Sequence, residues 1–282
     1  MPAAKSQFSP PPGHPAFPAR QPPPGAYFSR AMPIDVPLLS RICEAPGAPG
    51  AEKAIRQLVL AEIQGLADDI RTDNMGNVIA LKKGRSSAKK TMAAAHMDEI
   101  GFIVTHVDDK GFVRFNPVGG FDPKTLTSQR VIIHGRKDVP GVMGSKPVHI
   151  MSQDEKNKVP QIKDYFIDTG MVKKDIEKLV QVGDFVTRYS PLMELGDCVN
   201  VKSLDNRASV FMLLEALREM KKTKRKPAYD FYAVFTVQEE VGLRGAQPSA
   251  CSTKRSSSTS SNCSGSETSN DATRVLGFVS QR

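Results

Sequence analysis

The amino-acid sequence predicts an α/β fold interrupted by a small β-rich insert and flanked by two disordered tails. Three observations carry this. Apolar residues recur at helical spacing near the start of the ordered-looking chain and again between Leu204 and Met220. Between these regions, from about 104 to 200, short β-prone runs alternate with turn signals. Both ends are rich in residues that bury little, Pro at one and Ser at the other.

Taken in order, residues 1–34 hold the clusters Pro10-Pro11-Pro12 and Pro22-Pro23-Pro24 with few periodic apolar residues, so they read as a disordered extension. The first part of the α/β domain, 35–103, opens with Leu38, Leu39 and Ile42, then Ile55, Leu58, Val59, Ile63 and Leu66. That spacing predicts two helices. Residues 69–72 and 77–81 are β-prone and flank Asn74-Met75-Gly76, which suits a tight turn, so a hairpin is expected, with 91–95 as a buried strand behind it. In the insert, 104–200, the runs 112–115, 131–134, 141–143, 165–168 and 185–187 read as closely spaced strands. The α/β domain resumes over 201–250, where Val210, Leu213, Leu214 and Leu217 share one helix face and 229–237 is an apolar strand of a covered sheet. Residues 251–282 include Ser256-Ser257-Ser258-Thr259-Ser260-Ser261 and are expected to be a disordered tail.

Composition narrows the function classes. At 282 residues there is room for one large or two medium domains, taking roughly 100–200 residues each. A formal charge of +9 raises nucleic acid or an anionic membrane as partners, but the charge is spread along the chain. Its densest run, Lys221, Lys222, Lys224, Arg225 and Lys226, falls after a helical pattern, where it complements the helix dipole. Neither partner is expected. Cys43, Cys198, Cys251 and Cys263 show no C-x-x-C spacing, which fits a reducing compartment without cysteine-bound structural zinc. With no membrane-length apolar run and no secretory h-region, a cytoplasmic location is expected.

Three short stretches bear the chemistry, each at a strand end or a helix start, where open α/β sheets keep their sites. In Ala95-His96-Met97-Asp98-Glu99-Ile100-Gly101, His96 can bind zinc while Asp98 fixes its tautomer; taken alone, the stretch favours a merely hydrogen-bonded histidine. In Ser203-Leu204-Asp205-Asn206, Asp205 falls just inside a helix start, as a capping residue or as a bridge between two metals. In Gln238-Glu239-Glu240-Val241-Gly242, two adjacent acids follow an apolar strand that either ends in solvent or ends at a metal. There, one Glu can ligate while its neighbour takes a proton from metal-bound water.

Together and in this order, the stretches resemble the glutamyl aminopeptidase and deblocking aminopeptidase family of two-metal peptidases, some members of which are labelled endoglucanase. The resemblance runs from about Pro37 to Ala250 and includes Cys43-Glu44-Ala45-Pro46-Gly47, Thr72-Asp73-Asn74-Met75-Gly76-Asn77-Val78 and Gly141-Val142-Met143-Gly144-Ser145-Lys146-Pro147. It implies a zinc-aminopeptidase-like sheet covered by helices. By position, it implies that His96 ligates one zinc, Asp205 bridges two, Glu240 ligates the other, Glu239 is the general base and Asp98 supports His96 from behind. The implied reaction removes N-terminal residues from peptides, with zinc, cobalt or manganese as the metal. The insert would mediate homo-oligomerisation.

The family pattern also implies a further Asp for the His96 site and a further His for the Glu240 site. Neither can be placed: the five His are His14, His96, His106, His134 and His149, all before Glu239. Low activity is therefore an expectation, as is an apolar strand at 229–237 left with an exposed edge or face. The alternative function is a non-catalytic homologue that assembles with complete subunits. Glycoside hydrolysis needs two carboxylates facing across a scissile bond, which adjacent Glu239 and Glu240 do not suit.

Overall fold

The computed structural model describes residues 34–254 and 273–277. The disorder expected at 1–33, 255–272 and 278–282 lies outside the described residues. The elements are helices α1 (Val36–Glu44) and α2 (Lys53–Ile63), then strands β1 (Asp69–Thr72), β2 (Val78–Lys82) and β3 (Ser86–His96). Strands β4 (Gly101–Val107), β5 (Val113–Val118), β6 (Arg130–His134) and β7 (Asp138–Ser145) follow, then the short helix α3 (Gln153–Lys156) and β8 (Tyr165–Asp168). After α4 (Lys173–Ile176) come β9 (Phe185–Arg188), β10 (Met193–Leu195) and β11 (Cys198–Asn200). The chain continues through α5 (Leu204–Lys222), β12 (Tyr229–Thr236) and α6 (Ala246–Lys254) to β13 (Thr273–Gly277). Thus α6 carries helix into the Ser-rich segment, and β13 pairs in parallel with β3.

The fold is mixed α/β with a β-rich insert. One sheet has the order β1-β2-β12-β3-β13. Its period-two alternation sends Val78, Ala80, Ala93, Ala95, Ala233 and Phe235 to one face, where they pack with α1, α2 and α5 through Leu38, Ile42, Ile55, Val59, Leu213, Leu214 and Leu217. Each of these side chains, if fully buried, contributes about 1.5–3 kcal/mol when it is as large as Val or Leu. The helix α5 ends at Thr223, whose hydroxyl donates to the Glu219 carbonyl at 2.7 Å. On the opposite face Ile79, Met92, Tyr232 and Val234 form a smaller cluster against which Ala250 of α6 packs.

Two expectations are corrected here. The strand at 229–237 has no free edge: β12 pairs with β2 on one side and β3 on the other. Neither of its faces is bare, because Val234 and Phe235, which point to opposite sides, are each 0% exposed. Nor does Asp205 sit in a regular helix start. Asp205 (φ −85°, ψ 106°) and Asn206 (φ −120°, ψ 35°) are non-helical, and the peptide bond between them is cis. Regular helix begins beyond them, with the Arg207 N–H bonding the Ser203 carbonyl at 3.1 Å.

The insert is a closed barrel, β4-β5-β8-β7-β6-β9. Its core is its own, built on Phe102, Val113, Ile133, Ile167 and Val186. The first barrel strand begins at Gly101, slightly before the change of period in the sequence.

Candidate active site

Because β3 and β12 are parallel neighbours, their carboxyl ends coincide: His96 pairs with Thr236, and the Met97 N–H reaches the Thr236 carbonyl at 2.7 Å. The two sequence stretches that follow these strands therefore emerge side by side, as expected where parallel strands end. The non-helical Asp205 segment, which precedes α5, reaches the same place.

His96 is buried, at 6% exposure, and lies at the centre. Its Nε2 is 3.2 Å from Asp205 Oδ1 and 3.7 Å from Glu239 Oε2. Its Nδ1 is 3.1 Å from the Asp98 carbonyl oxygen, with Asp98 Oδ1 at 3.5 Å. The other carboxylate oxygen of Asp98 accepts the Glu240 N–H at 3.0 Å. One buried acid thus connects the imidazole to the following loop. Ligand atoms of His96, Glu239 and Glu240 converge within 4.8 Å of one another. Asp205 is not one of that trio but touches it through His96.

The electrostatics follow from these neighbours. Burial lowers the affinity of His96 for its proton, yet Asp98, Glu239 and Asp205 more than offset this and raise its pKa to about 9. Burial pushes the Glu240 carboxyl above its ordinary range, opposed by His96 and reinforced by Glu239, Asp205 and Asp98. Carboxylates outnumber imidazoles here, so the cluster is short of positive charge.

The loop carrying the two glutamates is fixed from below by residues the motifs did not single out. Buried Glu52 accepts the Gly50 N–H at 2.8 Å and the Gln238 N–H at 3.2 Å. Asn77, fully buried, accepts the Val237 N–H at 2.9 Å and donates to Asp73 at 2.8 Å. A side chain at Gly245 would sit 2.4 Å from Asn77 Oδ1 and from the Val237 carbonyl, so only glycine fits. Asn77 lies in a quoted sequence phrase, but nothing in the sequence shows its partner 160 residues away. Glu99 also escaped a role, although it stands inside the His96 stretch.

A sheet whose parallel strand ends gather one imidazole and several carboxylates within reach of one another is a candidate site for a divalent cation. The M42 glutamyl aminopeptidase family model matches residues 76–260. A protein of Acetivibrio thermocellus that carries an aminopeptidase name is 41% identical over 218 residues, 77% of this chain and 62% of that protein. The TET aminopeptidase of a marine-sediment Thaumarchaeota archaeon superposes with a TM-score of 0.75 at 34% identity, over 78% of this chain and 63% of the other. The Pyrococcus horikoshii TET1 peptidase, described as assembling into a tetrahedron or a large octahedral shell, gives 0.68 at 32% identity, over 76% and 64%. The chain belongs to the M42 glutamyl aminopeptidase family. It spans less than two thirds of the length of these relatives.

Proposed function

We propose that this chain is built to remove N-terminal residues from peptides at a two-metal centre, with zinc the first choice and cobalt or manganese also suited. The observation that carries the reading is the convergence of His96, Glu239 and Glu240 within 4.8 Å, with Asp205 at 3.2 Å from His96. The donor set fits: Asp98, Asp205, Glu239 and Glu240 crowd a single imidazole, a surplus of negative charge that divalent cations would balance. His96 and Asp205 would hold one ion, and Asp205 and Glu240 the other. When bound, such ions polarise a carbonyl and make water acidic enough to ionise near neutral pH.

The chain's own residues do the rest. Asp98 takes the Nδ1–H of His96 on its carbonyl oxygen, which turns the Nε2 lone pair toward the acids. Through Glu240 N–H it also holds the second loop. Glu239, with about a quarter of its side chain open to solvent, is the acid best placed to take a proton from the attacking water and return it to the departing amine. Homo-oligomerisation through the insert, 104–200, extends this reading, supported by the shells of the Pyrococcus horikoshii enzyme.

On the purified 282-residue polypeptide, Glu239→Gln should keep metal uptake and slow aminoacyl-anilide hydrolysis by roughly 10²–10⁴-fold, the usual share of general acid–base catalysis. An unchanged rate overturns the assignment. Among the described residues each ion would have two protein ligands, one of them shared, where catalytic zinc normally has three. Calorimetric zinc titration of this polypeptide should accordingly show weak uptake, with slow turnover. Two tightly held ions and fast turnover would place further ligands outside the described residues or on a neighbouring subunit, and assembly without any turnover would favour the non-catalytic partner role.

A further inference from the structure

Immediately behind the proposed metal centre lies a set of buried charges that the reaction does not use. Glu99, 2% exposed, follows Asp98 in the loop leaving β3. Both of its carboxylate oxygens are bonded to the segment that leads to Asp205: Oε1 accepts from Lys202 Nζ at 2.6 Å and Oε2 from Ser203 Oγ at 2.6 Å. Lys202 and Ser203 are themselves buried, at 7% each. Arg207, fully buried just past the irregular turn, has Nη2 3.9 Å from Glu99 Oε1 and uses Nη1 to bond the carbonyls of Ile42 and Ala45. The Glu99 N–H is bonded to the Gly47 carbonyl at 3.0 Å.

The segment needs such an anchor. Ser203 adopts a left-handed conformation, φ 64°, and Asp205 and Asn206 are non-helical, so no repeating hydrogen-bond ladder defines the backbone there. The side chain of Asp205 is 46% exposed, so packing does not define it either. Yet its carboxylate must face His96, which enters from a different strand. Buried ion pairs contribute little to stability, because desolvation offsets their attraction; what they can fix is one geometry among several.

We infer that Glu99 is a positioning residue: by clasping Lys202 and Ser203 it holds Asp205 against His96. The inference rests on the reading above, in which these two residues share a metal. Glu99→Gln strands the buried Lys202 charge and destabilises the fold for that reason, so the decisive variant is Ser203→Ala, which removes one buried hydroxyl. The wild-type polypeptide and Ser203→Ala are titrated with Co²⁺ by calorimetry, melted without metal, and crystallised without metal. Ser203→Ala should still unfold in one cooperative transition, at a lower temperature because Glu99 Oε2 loses its buried donor, bind Co²⁺ roughly 10–100-fold more weakly, as outer-shell changes typically do, and show Asp205 Oδ1 displaced from its 3.2 Å approach to His96 Nε2. Wild-type binding matched by Ser203→Ala, with the approach kept, overturns the clasp alone. Absence of Co²⁺ binding by the wild type at millimolar concentration overturns the metal-centre reading, and the clasp with it.

Discussion

At the scale of single residues, the site is defined less by its ligands than by the buried polar groups that hold them. Asn77 shows the logic. Its amide closes one strand end, Val237 N–H, and one turn, Asp73, at the same time. Replacing it by Ala leaves a buried N–H without a partner, which costs about 1–3 kcal/mol. Urea unfolding of Asn77→Ala should show that loss at an unchanged m-value; full stability would mean that water takes over the bond. Cys43 makes a different case. It is fully buried, and burial pushes its thiol up to about 11 against the pull of Arg207 and Lys202. Because the thiolate is the reactive form, iodoacetamide at pH 8 should label the exposed Cys198 and leave Cys43 untouched until the chain unfolds, as peptide mapping by mass spectrometry would show. Rapid native labelling of Cys43 would mean that α1 opens readily. The roles of Glu52 and Glu99 were not legible in the sequence, since an acid that bonds a distant backbone N–H or a distant lysine looks the same there as a solvated one.

At the scale of elements, the helices and the β1–β2 hairpin were legible because their pattern is local: apolar spacing for α1, α2 and α5, and turn residues for the hairpin. The site was legible in part for the same reason, since His96, Glu239 and Glu240 follow apolar strands that end together. What local pattern could not give is the pairing of β12 between β2 and β3, which removes the exposed edge expected for that strand, nor the irregular backbone at Asp205. The open end of the hairpin is closed by Asp68, just before β1, which accepts the Lys83 N–H at 2.7 Å and Lys82 Nζ at 3.3 Å from the end of β2. Burial is the largest single influence on Asp68 and opposes its ionisation, but the hydrogen bonds from Lys83 and Lys82 and their charges together prevail and hold its carboxyl below the ordinary Asp value of 3.8. With a depressed pKa in the folded state, the group's contribution is present above 3.8 and is lost as pH falls below it. Asp68→Asn should therefore melt below wild type at pH 7, and the gap should close as the pH is taken below 3.8. A constant gap down to pH 2 would show that the carboxylate charge plays no part.

At the scale of the whole molecule, the barrel closes on itself while the sheet stays open, with β1 and β13 at the ends of its strand order, and the two share no core residues. The barrel closes on itself through β4 and β9, where Phe102 lies opposite Val186. The chain therefore enters and leaves it at one place, and removing it cuts only two neighbouring connections. Closure leaves no strand edge to be covered by the α/β part. Its interior, with Phe102, Phe115, Val131, Ile133, Tyr165 and Val186, is independent of the cluster beneath α5. Size permits autonomy as well, since domains of about 60 residues already fold alone and the barrel segment is longer. A fragment covering residues 100–190 should accordingly fold by itself, with a single cooperative thermal transition and dispersed amide resonances. Folding should be slow for its length, because the β4–β9 contact joins strands far apart in sequence and its loop must close before the contact contributes. Ties to the rest include a close packing, since Gly101 lies under Ala48, where a side chain would approach its Cβ to 2.9 Å, and a hydrogen bond from the Lys202 N–H to the Ser190 carbonyl at 3.3 Å; the fragment loses both partners. Fraying should therefore begin at β4. Hydrogen exchange that is fastest at the start of β4 and slowest in β6 and β7 would agree, whereas an unfolded fragment would show that the barrel depends on the sheet it interrupts.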